Sequence, residues 1–425
     1  MIRSTTFRVR SRVRATLGAG ALVLFGITGC SDGTGPQSGP PAAITALPRA
    51  LTAPEQQAIR ASNTFGLELL RRVAAGAADS NVVLSPFSAS MALGMAYAGA
   101  DGTTADAMRT TLGWGTASRA QVLDGYRNLR TLLTSLDPRV TVTTANALWI
   151  RNGFALLPAY AQEMDGVFGA PIRSGDFGPT TVNEINAWAA RETNNRIPRV
   201  VESLPPDMVA ILLNALYFKG AWRERFDPAR TEVRGFTTAG GGRPAVPMMQ
   251  RTGSLPYGVS RGAQITELSY GNTAYVMTLV LPAAGSSPSA WLTRLSDTDF
   301  AAAVSALSPQ QVQLALPKFR LKVGYQLRTP LTNMGMGIAF IGGQANFTRM
   351  ANEDLFLTHV KQDVFIDVNE EGTEAAAVTQ VGVGVVSAPQ IFEMHLDRPF
   401  LFFIRERLSG TILFSGIINL PVTSN

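Results

Sequence analysis

The sequence predicts an α+β fold in which one large β-sheet lies under helices. Three features predict it. Helical spacing dominates the first third of the folded chain, as in residues 88–99, and returns at residues 181–195. Strand patterns dominate later, at residues 274–281, 312–316, 401–404 and 411–418. Between them, residues 208–218 are almost continuously apolar, which suits a strand covered on both faces. A length of 425 residues allows two or three domains. No second linker and no internal repeat appears, so a single large domain is expected.

The first elements are an address. Arg3, Arg8, Arg10, Arg12 and Arg14 precede an apolar stretch over residues 17–27. That stretch is too short for a bilayer, which needs about 20 residues, and fits a signal peptide. It ends in Ile27-Thr28-Gly29-Cys30, which resembles a bacterial lipoprotein cleavage box with Cys30 as the lipidated residue. Cys30 is the only cysteine, so no internal disulfide is available. Removal of residues 1–29 takes away five arginines and no acids, leaving +1 of the formal +6. A nucleic-acid partner thereby loses its electrostatic support. Residues 30–50, rich in glycine, proline and serine, read as a flexible tether. These features place residues 51–425 outside the cytoplasm, lipid-anchored to the envelope or extracellular, with the lipid as its only membrane contact.

The folded part opens on Thr52-Ala53-Pro54-Glu55, a hydroxyl and a carboxylate at capping-box spacing. Phe65, Leu69 and Val73 then recur with helical period. Material for an active site is scarce. Of the two histidines, His359 lies just before a strand pattern and His395 precedes another, and neither stands in metal-binding spacing. There is no phosphate-binding glycine loop. No enzyme activity, cofactor or metal is expected.

The strand pattern at residues 363–369 runs into a segment that alternates with period two. Thr373, Ala375, Ala377, Thr379, Val381, Val383 and Val385 are small or apolar. Glu374, Ala376, Val378, Gln380, Gly382 and Gly384 alternate with them. Glycine and alanine make poor strand interiors, so the segment can pair as a strand without being obliged to. An ordinary amphipathic strand shares the alternation.

Within it, Glu370-Glu371-Gly372-Thr373-Glu374-Ala375-Ala376-Ala377 closely resembles the hinge of the serpins, the serine-protease inhibitor family. Further stretches resemble that family in the same order, from about Leu51 onward. They are Asn81-Val-Val-Leu-Ser-Pro-Phe-Ser-Ala-Ser90, Leu212-Leu-Asn-Ala-Leu-Tyr-Phe-Lys-Gly-Ala-Trp222, Leu316-Pro-Lys-Phe319, Asp397-Arg-Pro-Phe400 and Leu413-Phe-Ser-Gly-Ile-Ile-Asn419. The resemblance implies the serpin fold: a large central sheet with further sheets, about eight or nine helices, and an exposed reactive loop.

It also implies a function. A serine protease, or alternatively a cysteine protease, attacks the loop and forms an acyl-enzyme. The cleaved loop then inserts into the main sheet and traps the enzyme. Small side chains at the hinge enter without overpacking, and Gly372 acts as a pivot. Counting from the hinge puts the attacked bond at Val386–Ser387. Counting back from Pro399 points to Ala388, which precedes Pro389, and Ser387–Ala388 lies between the two. Valine at the bond suits an elastase-, chymotrypsin- or subtilisin-like pocket. By the same resemblance Ser85, Ser88, Asn214 and Gln362 form a polar cluster under the moving centre of the sheet. Gln362 stands where the family usually has histidine. Glu370 is expected to face Lys318 near Trp222. A monomer is expected. The competing readings are a serpin-fold binding module that no longer inhibits and a structural envelope lipoprotein.

Overall fold

Residues 42–77, 79–293, 295–373 and 390–423 are described by a computed structural model. They belong to a unit delimited as Pro40–Asn425. Among them are nine α-helices and fifteen strands. Helix Ala53–Ala77 starts at the anticipated box: the Thr52 N–H donates to Glu55 Oε2 at 2.7 Å, and the Glu55 N–H donates to Thr52 Oγ1 at 3.4 Å. Arg49 adds two bonds to the same carboxylate, at 2.8 and 2.6 Å. Chiefly through Arg49, and against its own burial, the Glu55 carboxyl is held at about 2. Packed chain begins earlier than this cap, because Ile44, Leu47 and Leu51 already lie against the core.

Helix Pro86–Gly99 is apolar almost all round and buried on nearly every side, as a helix inside a core must be. Pro86 occupies its first turn, and Ser85 caps it by accepting from the Ser88 N–H.

The described strands form two sheets. The nine-stranded one has the order Val82–Leu84, Ile412–Ile418, Phe400–Glu406, Tyr275–Pro282, Ala263–Ser269, Ala245–Ser260, Ser308–Pro317, Ile391–His395, with Glu232–Gly235 also paired to Ala245–Ser260. The six-stranded one has the order Phe319–Gln326, Lys361–Asn369, Gly372–Thr373, Ala210–Ala221, Val140–Arg151, Ile172–Gly175. Only the last pair is parallel.

Two apolar clusters sandwich the six-stranded sheet. The larger one takes Leu212, Leu216 and Phe218 from one face of strand Ala210–Ala221. The smaller one takes Ile211, Leu213 and Ala215 from the other, with Trp149 packed edge-on to Trp188 of helix Pro179–Glu192. Both faces of the strand are therefore apolar for a packing reason. That helix ends three residues before the expected boundary, where Asn194 and Asn195 adopt left-handed backbone. Among the described residues no helix is long and apolar enough to cross a membrane.

Candidate functional site

The site is the seam between strands Lys361–Asn369 and Ala210–Ala221. Among the described residues these strands share no direct backbone ladder. Gly372 and Thr373 lie between them, antiparallel to both: Thr373 opposes Val368 on one side and Gly220 on the other. Glycine is required at 372. Its φ is +149°, and a Cβ there would come within 2.2 Å of the Gly220 carbonyl oxygen. Thr373 is 3 % exposed, and its hydroxyl lies 2.8 Å from that of Tyr270. Burial pushes the Tyr270 phenol well above its usual range, so it keeps its proton. The Tyr270 ring stacks on Trp222 at 4.4 Å. Trp222 in turn donates from Nε1 to the Asn369 carbonyl and from its backbone to the Glu371 carbonyl, both at 2.9 Å. The first two hinge residues thus have a built platform.

Just before the hinge, Glu370 meets Lys318 at 2.8 Å and accepts from the Thr231 hydroxyl at 2.8 Å. Burial disfavours the Glu370 charge, but Lys318 and Thr231 outweigh it and hold the carboxyl below the usual glutamate range. This tie is therefore complete in the neutral range and is lost only as pH falls through that lowered value.

Lower in the seam a chain of hydrogen bonds joins the two strands through the start of helix Pro86–Gly99. Gln362 Oε1 accepts from the Ser85 N–H at 3.1 Å, and Gln362 Nε2 donates to the Ser85 carbonyl at 2.8 Å. The Ser85 hydroxyl donates to the Leu413 carbonyl at 2.8 Å and accepts from the Ser88 N–H at 3.3 Å. The Ser88 hydroxyl donates to Asn214, which donates to Asn146, which donates to the Phe168 carbonyl. A cavity of about 780 Å³ opens beside this chain, lined by Ser88, Leu93, Trp188, Leu212, Asn214 and Gln362 among others. Glutamine thus both accepts and donates at the Ser85 backbone.

The structure therefore brings together Ser85, Ser88, Asn214 and Gln362 in one group, and Glu370, Gly372, Thr373, Lys318 and Trp222 in another. Glu374, Ala375, Ala376, Ala377, Val386, Ser387 and Cys30 lie outside the described residues. Three partners escaped sequence reasoning: Tyr270, Thr231 and Asn146. Only Asn146 left a local signal, as an amide within the apolar run of strand Val140–Arg151.

Other chemistries find no support in the geometry. His395 ends strand Ile391–His395 opposite Ala315 and precedes strand Phe400–Glu406. Among the described residues no group of histidine, cysteine and acidic side chains can hold a metal ion. Gly258-Val259-Ser260-Arg261-Gly262 spells a nucleophile elbow, but it joins strands Ala245–Ser260 and Ala263–Ser269 by a hairpin turn. An elbow needs a strand-to-helix turn.

The model of the family described as Serpin (serine protease inhibitor) matches residues 60–421. Iripin-8 of Ixodes ricinus is 33% identical over 374 residues, spanning 85% of this chain and 92% of that protein. Human thyroxine-binding globulin, in a crystal structure of its complex with 'thyroine', superposes with a TM-score of 0.80 at 25% identity, covering 87% of this chain and 100% of the other. Tengpin, a thermophilic serpin in its native state, superposes with a TM-score of 0.78 at 25% identity, covering 89% and 97%. With a hinge strand set between its two neighbours and these likenesses over most of its length, the chain belongs to the serpin family and has the serpin fold.

Proposed function

We propose that this chain is a suicide-substrate inhibitor of serine proteases whose cleaved loop inserts into the seam. The observation that carries this reading is the two-residue strand Gly372–Thr373, paired to both neighbours at the top of that seam. Continuing both ladders six residues beyond Thr373 sets Thr379 opposite Asn214 and Gln362 together. The same register sets Ala375 against Phe218 and Ile366, and Ala377 against Leu216 and Val364. Small residues at these positions would enter the larger core in that register, where bulky ones would overpack. Arrival of Thr379 would meet the Ser88–Asn214 and Ser85–Gln362 bonds. We therefore assign Ser85, Ser88, Asn214 and Gln362 to control of opening low in the seam. Lys318, Glu370 and Trp222 take the same role at its top.

The bait bond is Val386–Ser387, and the target has a small apolar pocket of the elastase, chymotrypsin or subtilisin type. Mass spectrometry after brief incubation with a panel of such proteases locates the cut. A first cut before Thr379 would exclude this geometry, because too little loop would remain attached to fill the seam.

Lipidation at Cys30 is part of the proposal, with residues 1–29 as its leader. Cys30→Ser is expected to move the protein from the membrane fraction to the soluble one with its melting temperature unchanged. A wild-type protein that is already soluble and starts at another residue contradicts the anchor.

A further inference from the structure

The stretch before helix Ala53–Ala77 is bonded to the turn at residues 270–273. The Ile44 N–H donates to the Asn272 carbonyl at 2.8 Å. The Ile44 carbonyl accepts from Arg407 Nη2 at 2.5 Å and from the Thr273 hydroxyl at 3.3 Å. Ile44, Leu47 and Leu51 are half-buried against the core, while Thr45, Ala46, Arg49 and Ala50 face solvent. Residues 44–51 thus lie on the domain by side-chain burial as well as by backbone bonds.

The turn they hold is strained. Thr273, a β-branched residue, has φ +76°, a region such residues rarely enter. Its carbonyl accepts from Arg407 Nε at 2.8 Å, so Arg407 clamps Thr273 and Ile44 together. Strained backbone persists only where its surroundings over-determine it. Here the surroundings include Ile44.

The far side of the same turn is the hinge platform. The Gly271 N–H donates to the Ala221 carbonyl at 3.1 Å, and Arg223 Nη1 donates to the Gly271 carbonyl at 3.2 Å. Tyr270 reaches Thr373 and stacks on Trp222. Only two residues, Gly271 and Asn272, therefore lie between the Thr273–Ile44 bond and the Tyr270–Thr373 bond. Two elements flank one strained turn, and for one of them, the strand Gly372–Thr373, paired here to both neighbours, the two states at issue are paired and unpaired.

We infer that residues 44–51 are a strap that keeps the 270–273 turn in its strained form and so stabilises the pairing of Gly372 and Thr373 with their neighbours. Coupling through such an element requires that both ends bias the same two states, and the amides of Trp222 and Phe226, bonded to the two residues just before that strand, report on its seating. They donate to the Glu371 and Glu370 carbonyls at 2.9 and 3.1 Å.

The test is hydrogen exchange on the full mature chain with no protease present, so it stands whether or not the chain inhibits. In the double variant Ile44→Asp/Leu47→Asp, the Trp222 and Phe226 amides are expected to exchange about fivefold or more faster. Amides of strand Tyr275–Pro282 should stay at the wild-type rate. Ala46→Asp, which adds one such charge at an exposed position, should change neither. Unchanged Trp222 and Phe226 amides in the double variant overturn the strap. So does uniform acceleration across the chain, which would reduce residues 44–51 to a general contribution to stability.

Discussion

Thr373→Arg is expected to turn the inhibitor into a substrate. Thr373 is the first hinge residue to point into the larger core. Its hydroxyl is already bonded to Tyr270 in a pocket with no room for a guanidinium. Arginine there leaves an unpaired charge in the sheet interior, at a cost of several kcal/mol. Each ~1.4 kcal/mol added to the insertion barrier slows insertion about tenfold. Water then completes deacylation first, and the loop is cut at the same bond without a lasting complex. The amount of inhibitor consumed per protease inactivated should rise at least about tenfold. Glu374→Arg is the control. In the continued register residue 374 sits opposite Lys219 and Asp367, on the face turned away from Tyr270. It should be far milder. Equal effects of the two variants would mean that in–out alternation does not govern insertion.

Cleavage of the bait bond should raise the melting temperature by roughly 10 °C or more. Among the described residues only Gly372 and Thr373 pair by backbone with both seam strands, whereas the continued register gives residues 374–380 a partner on each side. Each further residue adds ladder hydrogen bonds worth about 0.5–1.5 kcal/mol net, and the odd-numbered ones bury against Phe218, Leu216 and Ile366. Ordering the backbone opposes this, so the gain is cooperative and shows only when the whole stretch enters. In a chain of this size ~1 kcal/mol shifts the midpoint by about 2 °C. Calorimetry before and after verified cleavage measures the shift. An unchanged midpoint would show that the severed loop stays outside the sheet.

What the sequence could disclose follows from where each signal lives. The apolar run at residues 208–218 marked a strand covered on both faces, and strand Ala210–Ala221 does pack on two separate clusters. Thr52 and Glu55 marked a helix start because capping is local, within three residues. The hinge was legible through resemblance, and its glycine acquires a further reason from the 2.2 Å approach to the Gly220 carbonyl oxygen. Tyr270 was not legible. It lies 103 residues from Thr373, and a buried tyrosine in a strand-rich region looks like any core aromatic. The strap was hidden for the opposite reason. Residues 44–51 have tether-like neighbours, and the groups that hold them, Asn272, Thr273 and Arg407, come from turns that pattern reading treats as surface.

Whether this chain traps a protease by inserting a cleaved loop is tested most directly by electrophoresis in SDS after incubation with an elastase- or subtilisin-type enzyme. The expected result is a covalent band at the summed mass of the protease and this chain, less the short peptide released after Val386, with the protease inactive. A cleaved chain with no such band, beside a fully active protease, would contradict it.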